Sequence, residues 1–102
     1  MITNKQRSYL RKLANELDSS FQVGKDGIGG ETIRHLDNML RTRELVKVTV
    51  LKTSPDSVRD TADNLAGALD AAVVQTIGHK FVLYRHSEDL AKEGKALRLP
   101  KK

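Results

Sequence analysis

Gly24, Lys25, Asp26 and Gly27 stand between the short apolar segment Phe21 to Val23 and an amphipathic stretch that opens near Gly30. A GxxG loop at a helix entrance is a place where a chain can hold a phosphate. Glycine has no Cβ, so the backbone reaches unusual dihedrals and approaches a ligand closely. The unpaired amides and the dipole of the following helix favour an anion. Lys25 adds a mobile positive charge. The same spacing also serves ordinary strand-to-helix turns, so the loop is a candidate whose weight depends on the rest of the chain.

Other cations lie within reach of such a role. Lys5, Arg7, Arg11 and Lys12 fall off the apolar stripe of the first helix, where they either form a solvated face or meet a phosphate backbone. Arg34 lies nearer the loop than Arg41 and Arg43 and is the better support for a bound phosphate, although Glu31 could simply neutralise it. Arg41 and Arg43 close the same helix, where complementing its negative end is reason enough for both. The net charge is +5, but Asp56, Asp60, Asp63 and Asp70 against a lone Arg59 leave residues 56–70 at −3 and everything else at +8. A basic body with one acidic element presents an oriented field that a polyanion meets on one side.

Enzyme chemistry is poorly represented. There is no GxxxxGK[ST] loop, and the glycines from Gly24 to Gly30 miss GxGxxG because Thr32 occupies the last position. His35, His79 and His86 lack metal-ligand spacing, and with no cysteine there is neither a thiol nucleophile nor a disulfide framework. The expectation is no catalytic residue, no metal and no cofactor. The charged N-terminus, the lack of any apolar run of membrane-spanning length and the absence of cysteine are read as cytoplasmic.

The elements that must position these groups follow from periodicity. At 38% hydrophobic and 30% charged, 102 residues suit one small globule, expected to be a monomer, rather than a disordered chain. Thr3 with Gln6 three residues later has capping-box spacing and starts a helix to about Leu17, with Leu10, Leu13, Ala14 and Leu17 as its stripe. A short strand at 21–23 precedes the glycine loop. Ile33, Leu36, Met39 and Leu40 predict a second helix over about 31–42. Leu45 to Leu51 alternates, with Val46, Val48 and Val50 on one face and Lys47 and Thr49 on another that is left open. Ser54 as N-cap and Pro55 at the first helical position predict a third helix, whose stripe is Val58, Ala62, Leu65, Ala66 and Leu69. Strands 72–77 and 80–85 join across Gly78 and His79. The second of these is apolar on both faces, which assigns Phe81 and Tyr84 to the core. The result is an α/β fold of order α-β-α-β-α-β-β, a two-layer sandwich of helices on a mixed four-stranded sheet, covering residues 1–86. Residues 87–102, with Lys92, Lys95, Arg98, Lys101 and Lys102, read as a basic C-terminal tail.

GKDGI after a short strand, ELVKVTVL as the next strand and IGHKFVLYR as the closing pair resemble the CRM domain, named for chloroplast RNA splicing and ribosome maturation, in its stand-alone bacterial YhbY-type form. The resemblance spans about Thr3 to Arg85. It implies an RNA-binding module whose GxxG loop is similar to that of KH domains, with bacterial members associated with precursors of the large ribosomal subunit. Carried over, it assigns Gly24, Lys25, Asp26 and Gly27 as the loop, and Lys80 and Arg85 more loosely as basic positions of the closing strand. Gly29 and Gly30 stand where the family favours a hydroxyl residue, and His79 stands where it favours lysine or arginine. With its four aromatic residues mostly in the core, the chain is expected to recognise RNA shape more than sequence. A second expectation is a protein-interaction module that docks a ribosomal protein or assembly factor through the acidic third helix or the open sheet face.

Overall fold

A computed structural model describes residues 2–100. Lys101 and Lys102, counted above with the basic tail, lie outside the described residues. The order is α1 (Asn4–Ala14), β1 (Phe21–Val23), α2 (Gly30–Arg43), β2 (Leu45–Val50), α3 (Val58–Leu69), β3 (Ala72–Ile77), β4 (Lys80–Tyr84) and α4 (Glu88–Lys92). The sheet runs β1-β2-β4-β3, with β1 parallel to β2 and the other pairs antiparallel.

The expected helices on a mixed four-stranded sheet are present. Leu36, Met39 and Leu40 of α2 and Ala62, Leu65 and Leu69 of α3 pack on one sheet face against Val46, Val48, Val50, Phe81 and Leu83. The other face is not wholly open, because Leu10 and Ala14 of α1 cover Leu45, Val74, Val82 and Tyr84, joined at the margin by Leu97 and Leu99. Phe81 and Tyr84 are buried, as a central strand apolar on both faces requires. In β3 a bulge between Val73 and Gln75 breaks the alternation. It turns Val74 into the α1 cluster and leaves Gln75 facing the same side opposite Val82.

Two helix boundaries and one further helix differ from the sequence reading. The Thr3–Gln6 capping box forms, at 3.1 and 3.0 Å, but α1 ends at Ala14 rather than Leu17. The Lys47 ammonium donates to the carbonyls of Ala14 (3.2 Å) and Leu17 (3.1 Å), and the chain leaves through i to i+3 bonds from Glu16 and Leu17. The third helix starts at Val58, not Pro55. Its cap is Ser57, whose hydroxyl accepts from the Asp60 amide at 3.1 Å, while Pro55 packs toward the glycine loop. Beyond His86, where no element was expected, α4 forms under a Ser87 cap.

Candidate nucleic-acid interface

Parallel pairing of β1 with β2 brings their C-terminal ends to one side of the sheet. The Leu51 amide extends the ladder by donating to the Val23 carbonyl at 2.8 Å. The glycine loop therefore leaves β1 beside the segment that leaves β2. Gly27 N–H donates to the Gly24 carbonyl at 3.0 Å, closing a four-residue turn with exposed Lys25 and Asp26 at its tip.

The two glycines are needed to different degrees. Gly27 has φ +64°, and a Cβ there would lie 3.2 Å from Pro55 Cγ, so both conformation and space select glycine. At Gly24 a Cβ would make ordinary contact with Leu51 Cδ1 at 3.6 Å.

Downstream, α2 begins from Gly29, which offers no side-chain cap. Thr32 supplies the nearest hydroxyl, accepting from the Gly29 amide at a long 3.4 Å. The helix thus presents its first-turn amides with no side chain bonded to them, a few residues after the turn that carries Lys25.

The same end of the sheet gathers other cations. β4 runs antiparallel to β2, so its first residue, Lys80, pairs with Thr49, and Val50 N–H donates to the His79 carbonyl at 2.7 Å. Lys52, which sequence reasoning missed, lies between Leu51 and Thr53, the two residues nearest a Cβ at Gly24. In sequence it looks like loop punctuation; only the β1–β2 pairing reveals it. Lys25, Lys52 and Lys80 are exposed, and among the described residues none has a carboxylate within ion-pair distance. Asp26 offsets part of this charge at the tip.

The remaining candidates are dispersed. Arg34 is exposed on α2, in an open groove with Glu31, His35, Asn38 and Arg41. His35 rests against Phe21, with ring centroids 5.2 Å apart, which gives it a packing role. Lys5, Arg11 and Lys12 are exposed on α1, across the sheet from α2. The α1 N-terminus lies beside Asp70, Ala72 and His86, at the end of the sheet opposite the glycine loop. Arg11 donates to the Ser8 hydroxyl at 3.0 Å. Arg85, read from sequence as a basic contact, is committed to the fold. Its guanidinium donates to Asp37 Oδ1 (2.8 Å), the Asp37 carbonyl (3.0 Å) and the Leu69 carbonyl (3.0 Å), tying α2 to the end of α3.

Among the described residues no group of three or more His, Cys, Asp or Glu side chains converges as metal ligands do, and no helix is long and apolar enough to cross a membrane. Tyr84 titrates from the core. Burial pushes the Tyr84 phenol above its usual value, and the charge of Glu44 adds to that.

Comparison with known proteins converges on one family. The model of the CRS1/YhbY (CRM) domain matches residues 2–85. "Probable RNA-binding protein YqeI" of Bacillus subtilis is 40% identical over 100 residues, covering 98% of this chain and all of that protein. An "RNA-binding protein" of Haemophilus influenzae is 34% identical over 88 residues, covering 86% of this chain and 89% of that one. The solution structure of SAV1595 from Staphylococcus aureus superposes with a TM-score of 0.78 at 40% identity, covering 98% of this chain and all of that one.

Proposed function

The chain belongs to the CRS1/YhbY (CRM) domain family, and from that we propose that it is an RNA-binding protein, not an enzyme, that grips phosphates at the glycine-loop end of its sheet. The observation that carries this reading is the exposure of Lys25 and Lys52 at the glycine-loop end of the sheet, with Lys80 at the same end on its α1 face, none with a carboxylate partner among the described residues, beside a tight glycine turn and a helix entrance without a side-chain cap. Backbone amides and lysines there meet phosphate oxygens, and Arg34 extends the contact along α2. The cations of α1, Lys5, Arg11 and Lys12, form a second exposed basic face on the side of the sheet opposite α2. Arg85 contributes rigidity instead of contact. The names of the two relatives support RNA as the ligand.

Contacts of this kind position an RNA without reading its bases, so the natural ligand is a structured RNA recognised by shape. The resemblance drawn from the sequence points to precursor RNA of the large ribosomal subunit, met in the cytoplasm by a monomer. Electrophoretic titration of the protein against structured large-subunit RNA fragments, an unrelated folded RNA and duplex DNA tests this. Tightest binding to a large-subunit fragment supports the reading, and equal binding to all three reduces it to non-specific charge attraction.

The acidic α3 favours a second contact. Asp60 and Asp63 are exposed, with no cation at ion-pair distance among the described residues. A basic ribosomal protein or assembly factor docked there would lose affinity on Asp60→Lys substitution, which leaves RNA binding intact.

A further inference from the structure

On the α1 side of the sheet the helix covers Leu45, Val82 and Tyr84 but stops short of the loop end. A depression of about 90 Å³ remains between Asn15, the last cap of α1, and the β3–β4 hairpin. Val82 floors it, Asn15 and Gln75 wall it, and Ile77 and Lys80 stand at its rim. Ile77 is 62% exposed, the most exposed large apolar side chain among the described residues.

We propose that this depression takes the base of an unpaired nucleotide in an RNA whose backbone is held at the glycine loop; the inference rests on the RNA-binding reading above. A nucleobase has an apolar face and an edge that both donates and accepts hydrogen bonds. Ile77 supplies the exposed apolar surface, above a buried Val82. The side-chain amides of Asn15 and Gln75 each carry a donor and an acceptor. The β3 bulge is what makes this possible. It buries Val74 under α1 and still turns Gln75 to the same side, the re-aiming that bulges bring about next to functional sites.

Charge favours an anionic ligand such as a nucleic acid over a basic partner. The lining includes Lys47 and Lys80 and no carboxylate. Lys47 is held by two carbonyls of the α1 exit and forms a fixed wall, which leaves Lys80 for a flanking phosphate. Position favours it as well. Lys80 pairs with Thr49, which pairs with Gln22 on the strand leading into the glycine loop. Two strand spacings separate them, roughly 10 Å, which a short single-stranded segment spans. Size sets the mode of entry. At about 90 Å³ the depression is smaller than the roughly 150 Å³ cavity that holds benzene, so it cannot enclose a base, and a heterocycle rests partway in it, face against Ile77. A base stacked inside a duplex cannot enter.

The test uses two RNA hairpins that differ only in one bulged adenosine, titrated against the wild-type protein, Ile77→Ser and Lys25→Asp. The Ile77 methyl resonance is followed by NMR. The expected result is about tenfold tighter binding of the bulged hairpin, the scale of covering one exposed apolar side chain, with an upfield ring-current shift of the Ile77 methyl. Ile77→Ser removes the preference and leaves the unbulged affinity unchanged. Equal wild-type affinities, or a methyl that does not move, overturn the proposal. A methyl shift on adding a peptide, with none from either RNA, gives the surface to a protein and overturns it too. Unchanged affinity for both hairpins in Lys25→Asp counts against the glycine loop alone, because the base site is read from the bulge preference.

Discussion

The backbone N–H of Leu97 donates to the Glu44 carboxylate at 2.6 Å across 53 residues of chain. The other carboxylate oxygen accepts from the Ser87 amide at 2.7 Å, and the side chain is fully buried. Glu44 makes the turn from α2 into β2 at φ 65°, a left-handed conformation usually left to glycine. A glycine would relieve the backbone and leave the buried Ser87 amide and the part-buried Leu97 amide without acceptors. The segment it anchors ends with Leu97 and Leu99 on the α1 cluster, and the Pro100 carbonyl accepts from Gln6 of the capping box at 3.0 Å. Glu44 thereby braces α1 from beyond the last strand.

Glu44→Ala should therefore destabilise the protein by about 2–3 kcal/mol, the cost of stranding one buried and one part-buried donor. Urea unfolding measures it, and hydrogen exchange should quicken first at Ser87 and Leu97. RNA affinity of the folded fraction should stay unchanged, since the brace lies away from the glycine loop.

The Tyr84 phenol yields a prediction in alkali. Its folded pKa lies above the unfolded value near 10. The folded state therefore holds this proton more tightly, and the associated stability is complete below about pH 10 and lost as pH rises beyond it. Tyr84→Phe keeps the packing and removes the titration. The variant should lose stability less steeply than wild type above pH 10 in thermal melts, with parallel profiles at neutral pH.

Gly27→Ala and Gly24→Ala should separate. The first places a Cβ at positive φ against Pro55 and should cost roughly 1–2 kcal/mol, with a matching loss of RNA affinity as the turn distorts. The second meets only ordinary contact and should be tolerated in both unfolding and binding measurements.

Arg85 and Lys80 lie at opposite ends of β4 and should fail in opposite ways. Arg85→Ala removes a half-buried strut with three hydrogen bonds and should lower stability by about 2–3 kcal/mol, leaving the salt dependence of RNA binding as it was. Lys80→Ala should leave the melting temperature within a degree or two, roughly the range of surface changes, and flatten the salt slope.

What was legible in the sequence is what local chemistry decides. The Thr3–Gln6 box, the alternation of Val46, Val48 and Val50 and the two-faced β4 each declare themselves within a few residues. The end of α1 was misjudged because Leu17 keeps the helical period while Lys47, thirty residues away, draws off its carbonyl. The start of α3 was misjudged because Ser54 and Pro55 imitate a cap that Ser57 provides. The brace at Glu44 and the helix at 88–92 depend on contacts across the whole chain, for which a single sequence carries no period. In the site, the glycine turn was readable, Lys52 became visible only through strand pairing, and Arg85 looked like a contact until its donors were traced to Asp37 and Leu69.

If the glycine turn with Lys25 clamps RNA phosphates, titration of wild type and Lys25→Asp against a structured large-subunit RNA fragment at several salt concentrations will separate the two proteins. Circular dichroism confirms that the variant is folded. The account predicts that the variant, its tip now doubly acidic, loses at least about tenfold in affinity and shows a shallower dependence of log K on log salt, by roughly one phosphate contact or more. A folded variant with wild-type affinity and an unchanged slope would contradict it and leave the loop as a turn.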